Sequence, residues 1–156
     1  MSTSLQIAID GPAGAGKSTI AKGLAKEFGI LYLDTGAMYR AVGLKALLTG
    51  RDPWDQEAVE GLLTDISIDI THEDGQQHVW LDGEDVSQEI RTPEAGMAAS
   101  AVAVIPAVRL RMVQMQRDIA RDRGVVMDGR DIGTYVLPDA PYKFFLTATV
   151  AERARR

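Results

Sequence analysis

Apolar and polar positions divide the chain into short runs with two different periods. Leu5, Ile7, Ala8 and Ile9 form one apolar run that closes on Asp10, the pattern of a strand inside a parallel sheet. Residues 17–28 then carry Ile20, Leu24 and Phe28 on one helical face, with Gly29 as the C-terminal cap. A second strand is predicted at 30–33, so strand, helix and strand form a right-handed parallel crossover. Helices are predicted at 37–48 and 55–64, separated by Gly50 and Pro53, with Asp55 as the second one's N-cap. From Ile66 the period becomes two. Ile66, Ile68 and Ile70 alternate with polar residues, as do Val79 and Leu81, and His72–Gln77 and Asp82-Gly83 supply turns. Thr92-Pro93 opens an Ala-rich helix to about Val104. Pro106 starts another, with Val108, Met112, Met115 and Ile119 as its buried stripe and Arg109, Arg111, Arg117, Arg121 and Arg123 opposite. The run at 124–127 into Asp128 and the stretch Lys143–Leu146 read as further strands, and Ala151 begins a helix.

These elements predict an α/β fold: a parallel sheet flanked by helices, with a small antiparallel insertion. The insertion covers 65–90, and the main domain covers 1–64 and 91–156.

Between the first strand and first helix stands Gly11-Pro12-Ala13-Gly14-Ala15-Gly16-Lys17-Ser18, followed by Thr19. The spacing is G-x-x-x-x-G-K-[ST] in its required strand–loop–helix setting, which makes the sheet P-loop NTPase-type. Glycines let backbone N–H groups approach phosphate oxygens that a Cβ would hold off. Lys17 is placed to reach the β- and γ-phosphates of the bound phosphate chain, and the Ser18 hydroxyl to take one position on Mg²⁺. Asp128 closes an apolar strand beside this loop, the expected position of an acid that holds Mg²⁺; a capping or turn aspartate is the alternative.

Composition narrows the partners. A net charge of −5 argues against broad binding of nucleic-acid polymers. No apolar stretch approaches a membrane span, and the N-terminus has no signal-peptide pattern. The absence of cysteine fits a reducing, cytoplasmic setting. His72 and His78 lack Cys or Glu partners at ligand spacing and read as surface residues.

Arg40 and Arg130 each follow a predicted strand at the rim that carries the phosphate loop. Two guanidinium groups there predict a second anion site, facing the first, for a phosphate acceptor. Surface ion pairs are the alternative for either arginine. Donor and acceptor held in line, with cations absorbing the spread charge, is the requirement of phosphoryl transfer. An acceptor that is itself a phosphate needs no strong base.

Four stretches together resemble the bacterial cytidylate kinases. They are residues 9–19, the Leu33–Arg40 stretch, the 83–87 and 89–92 segments, and Asp128-Gly-Arg-Asp-Ile-Gly-Thr134. The resemblance covers the whole chain, and only the first stretch is generic to phosphate-loop proteins. It implies γ-phosphoryl transfer from ATP to CMP or dCMP, with the β insertion belonging to the CMP-binding region. It further implies that Arg40 and Arg130 contact the CMP phosphate, that Ser100, Arg109 and Asp131 read cytosine, and that Thr35 lines the pocket. A carboxylate accepting from the exocyclic amino group while an arginine donates to the ring carbonyl suits that base. Members of the family are usually monomeric and continue past the Glu152–Arg156 stretch with a lid, further arginines, ribose ligands and a last strand. The expectation is therefore a weakly active or inactive form that self-associates, with the Lys143–Leu146 strand left unpaired. A nucleotide-binding module without turnover is the second reading.

Overall fold

The computed structural model describes residues 5–12, 14–73 and 76–147; Ala13 and the helix predicted from Ala151 lie outside them. In chain order the elements are β1 (Gln6–Asp10), α1 (Lys17–Phe28), β2 (Leu31–Asp34), α2 (Thr35–Leu48) and α3 (Gln56–Glu60). β3 (Ile68–Glu73), β4 (Gln76–Leu81) and β5 (Glu84–Asp85) follow, then α4 (Pro93–Ala103), α5 (Pro106–Asp122), β6 (Val125–Gly129) and β7 (Tyr142–Phe145). A π turn at Ile132–Val136 lies between the last two strands.

The chain divides into two compact units, one formed by residues up to Thr35 with those from Gln116 on, the other by Gly36–Met115. The first unit carries an all-parallel sheet in the order β2-β6-β1-β7. β1 and β6 are interior strands, which is why both read as apolar runs without alternation. Their register sets Ile9 opposite Asp128 and Asp10 opposite Gly129, while Asp34 of β2 pairs with Asp128 from the other side. Three neighbouring strands thus carry an acid at or next to their carboxyl ends.

Helix α1 covers this sheet, but not with the face its larger side chains suggest. Ala21 and Ala25 are buried against Ile7, Ile9, Tyr32 and Val126, with Leu24 partly buried beside them. Ile20 and Phe28, predicted on the inner face, are about half exposed at 47% and 56%. The inner stripe is displaced by one residue, a turn of roughly 100° about the helix axis. Alanines at 21 and 25 let the helix lie close to the sheet, and the longer residues are left at its margins.

Two further expectations are corrected. The helix predicted at 55–64 spans only Gln56–Glu60; Asp55 caps it by accepting from the Ala58 N–H at 3.3 Å, as its sequence position implies, and Gly61 closes it. The Lys143–Leu146 strand is not unpaired: β7 pairs in parallel with β1, Ile7 opposite Tyr142 through Asp10 opposite Phe145. Its second edge meets no strand among the described residues, and its four side chains are exposed.

In the second unit α2 contributes Met38, Ala41 and Val42 and α4 contributes Ala95, Ala98, Ala101 and Val102 to the buried interior. Thr92 caps α4 by accepting from the Ala95 N–H, with Pro93 at the first helical position. Residues within 65–90 form the antiparallel sheet β3-β4-β5 with Ile68, Ile70, Val79 and Leu81 facing inward. Asp82 and Gly83, at φ 51° and 87°, make the two-residue turn between β4 and β5. No single helix among the described residues is long and apolar enough to cross a membrane.

Candidate active site

At the carboxyl end of β1 the chain turns through Gly11 and enters a loop whose Gly14 and Gly16 have φ of 79° and 88°. Gly16 is the N-cap residue of α1, so the first N–H groups of that helix open onto the loop. Gly14, Ala15, Gly16, Lys17, Ser18, Thr19 and Ile20 line a cavity of about 650 Å³, together with Asp128 and Leu146. Pro12 is partly buried beside it in sequence, and Ala13 lies outside the described residues.

Lys17 projects from the first position of α1 and donates to the Gly11 carbonyl at 2.6 Å and the Gly129 carbonyl at 2.8 Å. Burial lowers its pKa; Asp128 opposes that shift and the Arg130 guanidinium adds to it. Lys17 is thus held at the rim by two carbonyl oxygens.

Asp128 is buried, 8% exposed, and accepts from the Tyr32 hydroxyl at 2.9 Å, while its own carbonyl accepts from Thr35 Oγ1 at 2.9 Å. Burial, and then the neighbouring Asp34 carboxylate, push its pKa up to about 6, against help from Tyr32 and Lys17. The same surroundings raise the Tyr32 pKa far above the phenol range, burial first. The folded pKa of Asp128 exceeds its ordinary value of 3.8, so its favourable contribution is complete below that value and lost as pH rises through about 6. A rise of this size corresponds to about 3 kcal/mol. Asp128→Asn keeps the acceptor for Tyr32 and removes the charge. It is expected to raise stability at pH 7.5 by on the order of 1–3 kcal/mol and to leave it nearly unchanged at pH 4. Urea unfolding at the two pH values checks this; equal shifts at both would remove the account.

No trio of His, Cys, Asp or Glu among the described residues is placed to hold a metal ion by itself. Ser18 and Asp128 nevertheless present two hard oxygen donors to one cavity. Few protein ligands, with phosphates completing the shell, is the arrangement Mg²⁺ takes with nucleotides.

After β6, Arg130 is exposed and Asp131 half-buried at the start of the π turn. Sequence reading gave no role to Asp10, whose carboxylate, only 7% exposed, accepts from Ile132 N–H at 2.7 Å and Gly133 N–H at 2.8 Å. It also passed over Tyr32, Asp34 and Arg117; the visible signal was that β1, β2 and β6 each carry an acid at or next to their carboxyl end.

In the second unit, Arg40 lies in the second turn of α2 and donates through Nη1 to the Ile90 carbonyl at 3.0 Å. A Cβ on Gly96 would stand 3.3 Å from that Nη1, and Ser100 donates to the Gly96 carbonyl at 3.3 Å. Arg40 and Ser100 are thus gathered along one face of α4. Arg109 is exposed in the first turn of α5. The histidines stand apart from these groups: His78 Nδ1 contacts Asp85 at 2.8 Å and His72 pairs across the strands with Gln77.

The family model for cytidylate kinase matches residues 7–156. A cytidylate kinase of Caldicellulosiruptor bescii is 57% identical over 97% of this chain and 67% of its own length. One of Pelotomaculum thermopropionicum is 59% identical over 96% and 67%, and one of Limosilactobacillus reuteri 54% over 100% and 68%. The chain spans about two thirds of the length of these relatives.

Proposed function

This chain belongs to the cytidylate kinase family, and on that premise we propose that it moves the γ-phosphoryl group of ATP onto CMP or dCMP. The observation that carries the proposal is the single cavity shared by the 14–20 loop and Asp128, with the Lys17 ammonium at its rim. In this reading Gly11, Pro12, Ala13, Gly14, Ala15, Gly16 and Thr19 surround the donor phosphates, and Lys17 exchanges its two carbonyl partners for β- and γ-phosphate oxygens. Ser18 and Asp128 hold Mg²⁺, which when bound neutralises charge on the transferring group. Arg130 and Arg40 take the acceptor phosphate, whose oxygen is already ionised and needs no base. Ser100, Arg109 and Asp131 read the cytosine, and Thr35, tied to the Asp128 carbonyl, lines the pocket. A wrong base would not offer the Asp131 carboxylate its amino donor or the Arg109 guanidinium its ring carbonyl, a strong discriminator.

Binding and turnover are separate tests for a chain of this length. Calorimetry is expected to show CMP and dCMP binding and weaker UMP or AMP binding, with CDP formation from ATP in a coupled assay. CMP binding without CDP formation would select the nucleotide-binding module. No preference for cytosine nucleotides would remove the acceptor assignment.

A further inference from the structure

We propose that Asp10 is a positioning residue for the acceptor nucleotide, acting by capping the Ile132–Val136 turn in place of Asp131. The inference rests on the reading of Asp131 as a base-recognising residue.

A tight turn leaves its first N–H groups without partners inside the turn, and an aspartate at the N-cap ordinarily accepts from them through its own side chain. Asp131 occupies that N-cap position, with φ −142° and ψ 29°, and makes no side-chain cap. Its backbone carbonyl engages the turn, accepting from Tyr135 N–H at 2.9 Å and Val136 N–H at 3.2 Å. The N–H groups of Ile132 and Gly133 go instead to the two oxygens of Asp10, more than a hundred residues away in sequence. Both carboxylate oxygens of a nearly buried acid are thereby committed to one peptide segment.

The opposite end is gripped as well. Arg117 donates through Nε to the Val136 carbonyl at 2.9 Å and through Nη2 to the Tyr135 carbonyl at 2.7 Å. An anion at the N–H end and a cation at the carbonyl end suit the turn's backbone dipoles. Space is also limited: a Cβ on Gly133 would stand 3.3 Å from the Asp10 carboxylate and 3.2 Å from the Lys143 side chain. The turn is fixed from outside, and the Asp131 side chain is not needed to hold it.

Without Asp10 the orphaned N–H groups would recruit the carboxylate of the N-cap residue, Asp131, as a cap. The test is a double-mutant cycle in the full chain, with Asp10→Ala, Asp131→Ala and the pair, reading CMP and ATP affinity by calorimetry. Asp10→Ala is expected to weaken CMP binding about tenfold or more and to leave ATP affinity within about twofold. Asp10→Asn, which keeps one acceptor, is expected to recover part of the loss. In the Asp131→Ala background the removal of Asp10 is expected to cost CMP binding little further. Amide exchange at Ile132 and Gly133 is expected to accelerate in Asp10→Ala. Equal losses for both nucleotides, additive losses in the cycle, or unchanged exchange at those amides would each overturn the proposal. Failure of the unsubstituted chain to bind CMP would instead overturn the acceptor reading, and the role of Asp10 with it.

Discussion

Lys17→Met is expected to lower phosphoryl transfer by about 10²–10³-fold, the usual cost of removing one cationic donor from a developing charge. The side chain has two duties here. In the folded chain its ammonium bridges the Gly11 and Gly129 carbonyls, and in the proposed reaction it moves to the γ-phosphate. Methionine keeps the stem and removes the charge, so both duties end together. Loss of the bridging bonds is expected to lower stability by roughly 1–3 kcal/mol. Asp128, deprived of the ammonium that favours its ionised form, is expected to titrate higher than about 6. Single-turnover CDP formation and a carboxyl titration by NMR check the two effects separately. Lys17→Arg supplies the comparison: the charge stays, but a planar fork replaces a compact point charge. Wild-type turnover in the methionine variant would show that this lysine does not serve the reaction.

The second large effect is expected at Gly11. Its φ of 147° belongs to the region that L side chains rarely adopt. A Cβ there would fall 2.2 Å from the Leu146 carbonyl oxygen, a main-chain atom that cannot swing aside. Leu146 itself is tied to this strand end, donating its N–H to the Asp10 carbonyl at 2.8 Å. Gly11→Ala is therefore expected to cost on the order of 3–5 kcal/mol, backbone strain and steric displacement acting together. It is also expected to open the cavity floor and abolish nucleotide binding. Gly29→Ala provides the control, because Gly29 also has positive φ, 63°, yet a Cβ there meets nothing within 4 Å. Only the conformational term remains, about 1 kcal/mol. Denaturant midpoints of the two variants compare them directly; similar midpoints would mean that the contact with Leu146 relaxes at little cost.

The phosphate loop, the crossover and the antiparallel insertion were legible because glycine, proline and period-two patterns act locally. Asp128 was legible for the same reason, as an acid closing an apolar run. The inner face of α1 was not. Hydrophobicity favours Ile20 and Phe28, whereas close packing favours the smaller Ala21 and Ala25, and only the assembled sheet decides between them. Asp10 escaped notice for a different reason. Its partners are backbone N–H groups of Ile132 and Gly133, and a backbone donor carries no signature in the sequence. The pairing of β7 with β1 was hidden too, since strand order is a property of the whole chain.

The carbonyl of Gly129 accepts from both Gly11 N–H and Lys17 Nζ, and the Asp10 carboxylate adds its two bonds to the following turn. The loops after β1 and β6 are therefore riveted together and ride as one piece. Prising them apart would break those four bonds at a cost of roughly 4–8 kcal/mol, more than a routine opening motion spends. Local opening of this unit is therefore expected to spare the seam and to begin at bonds that stand alone.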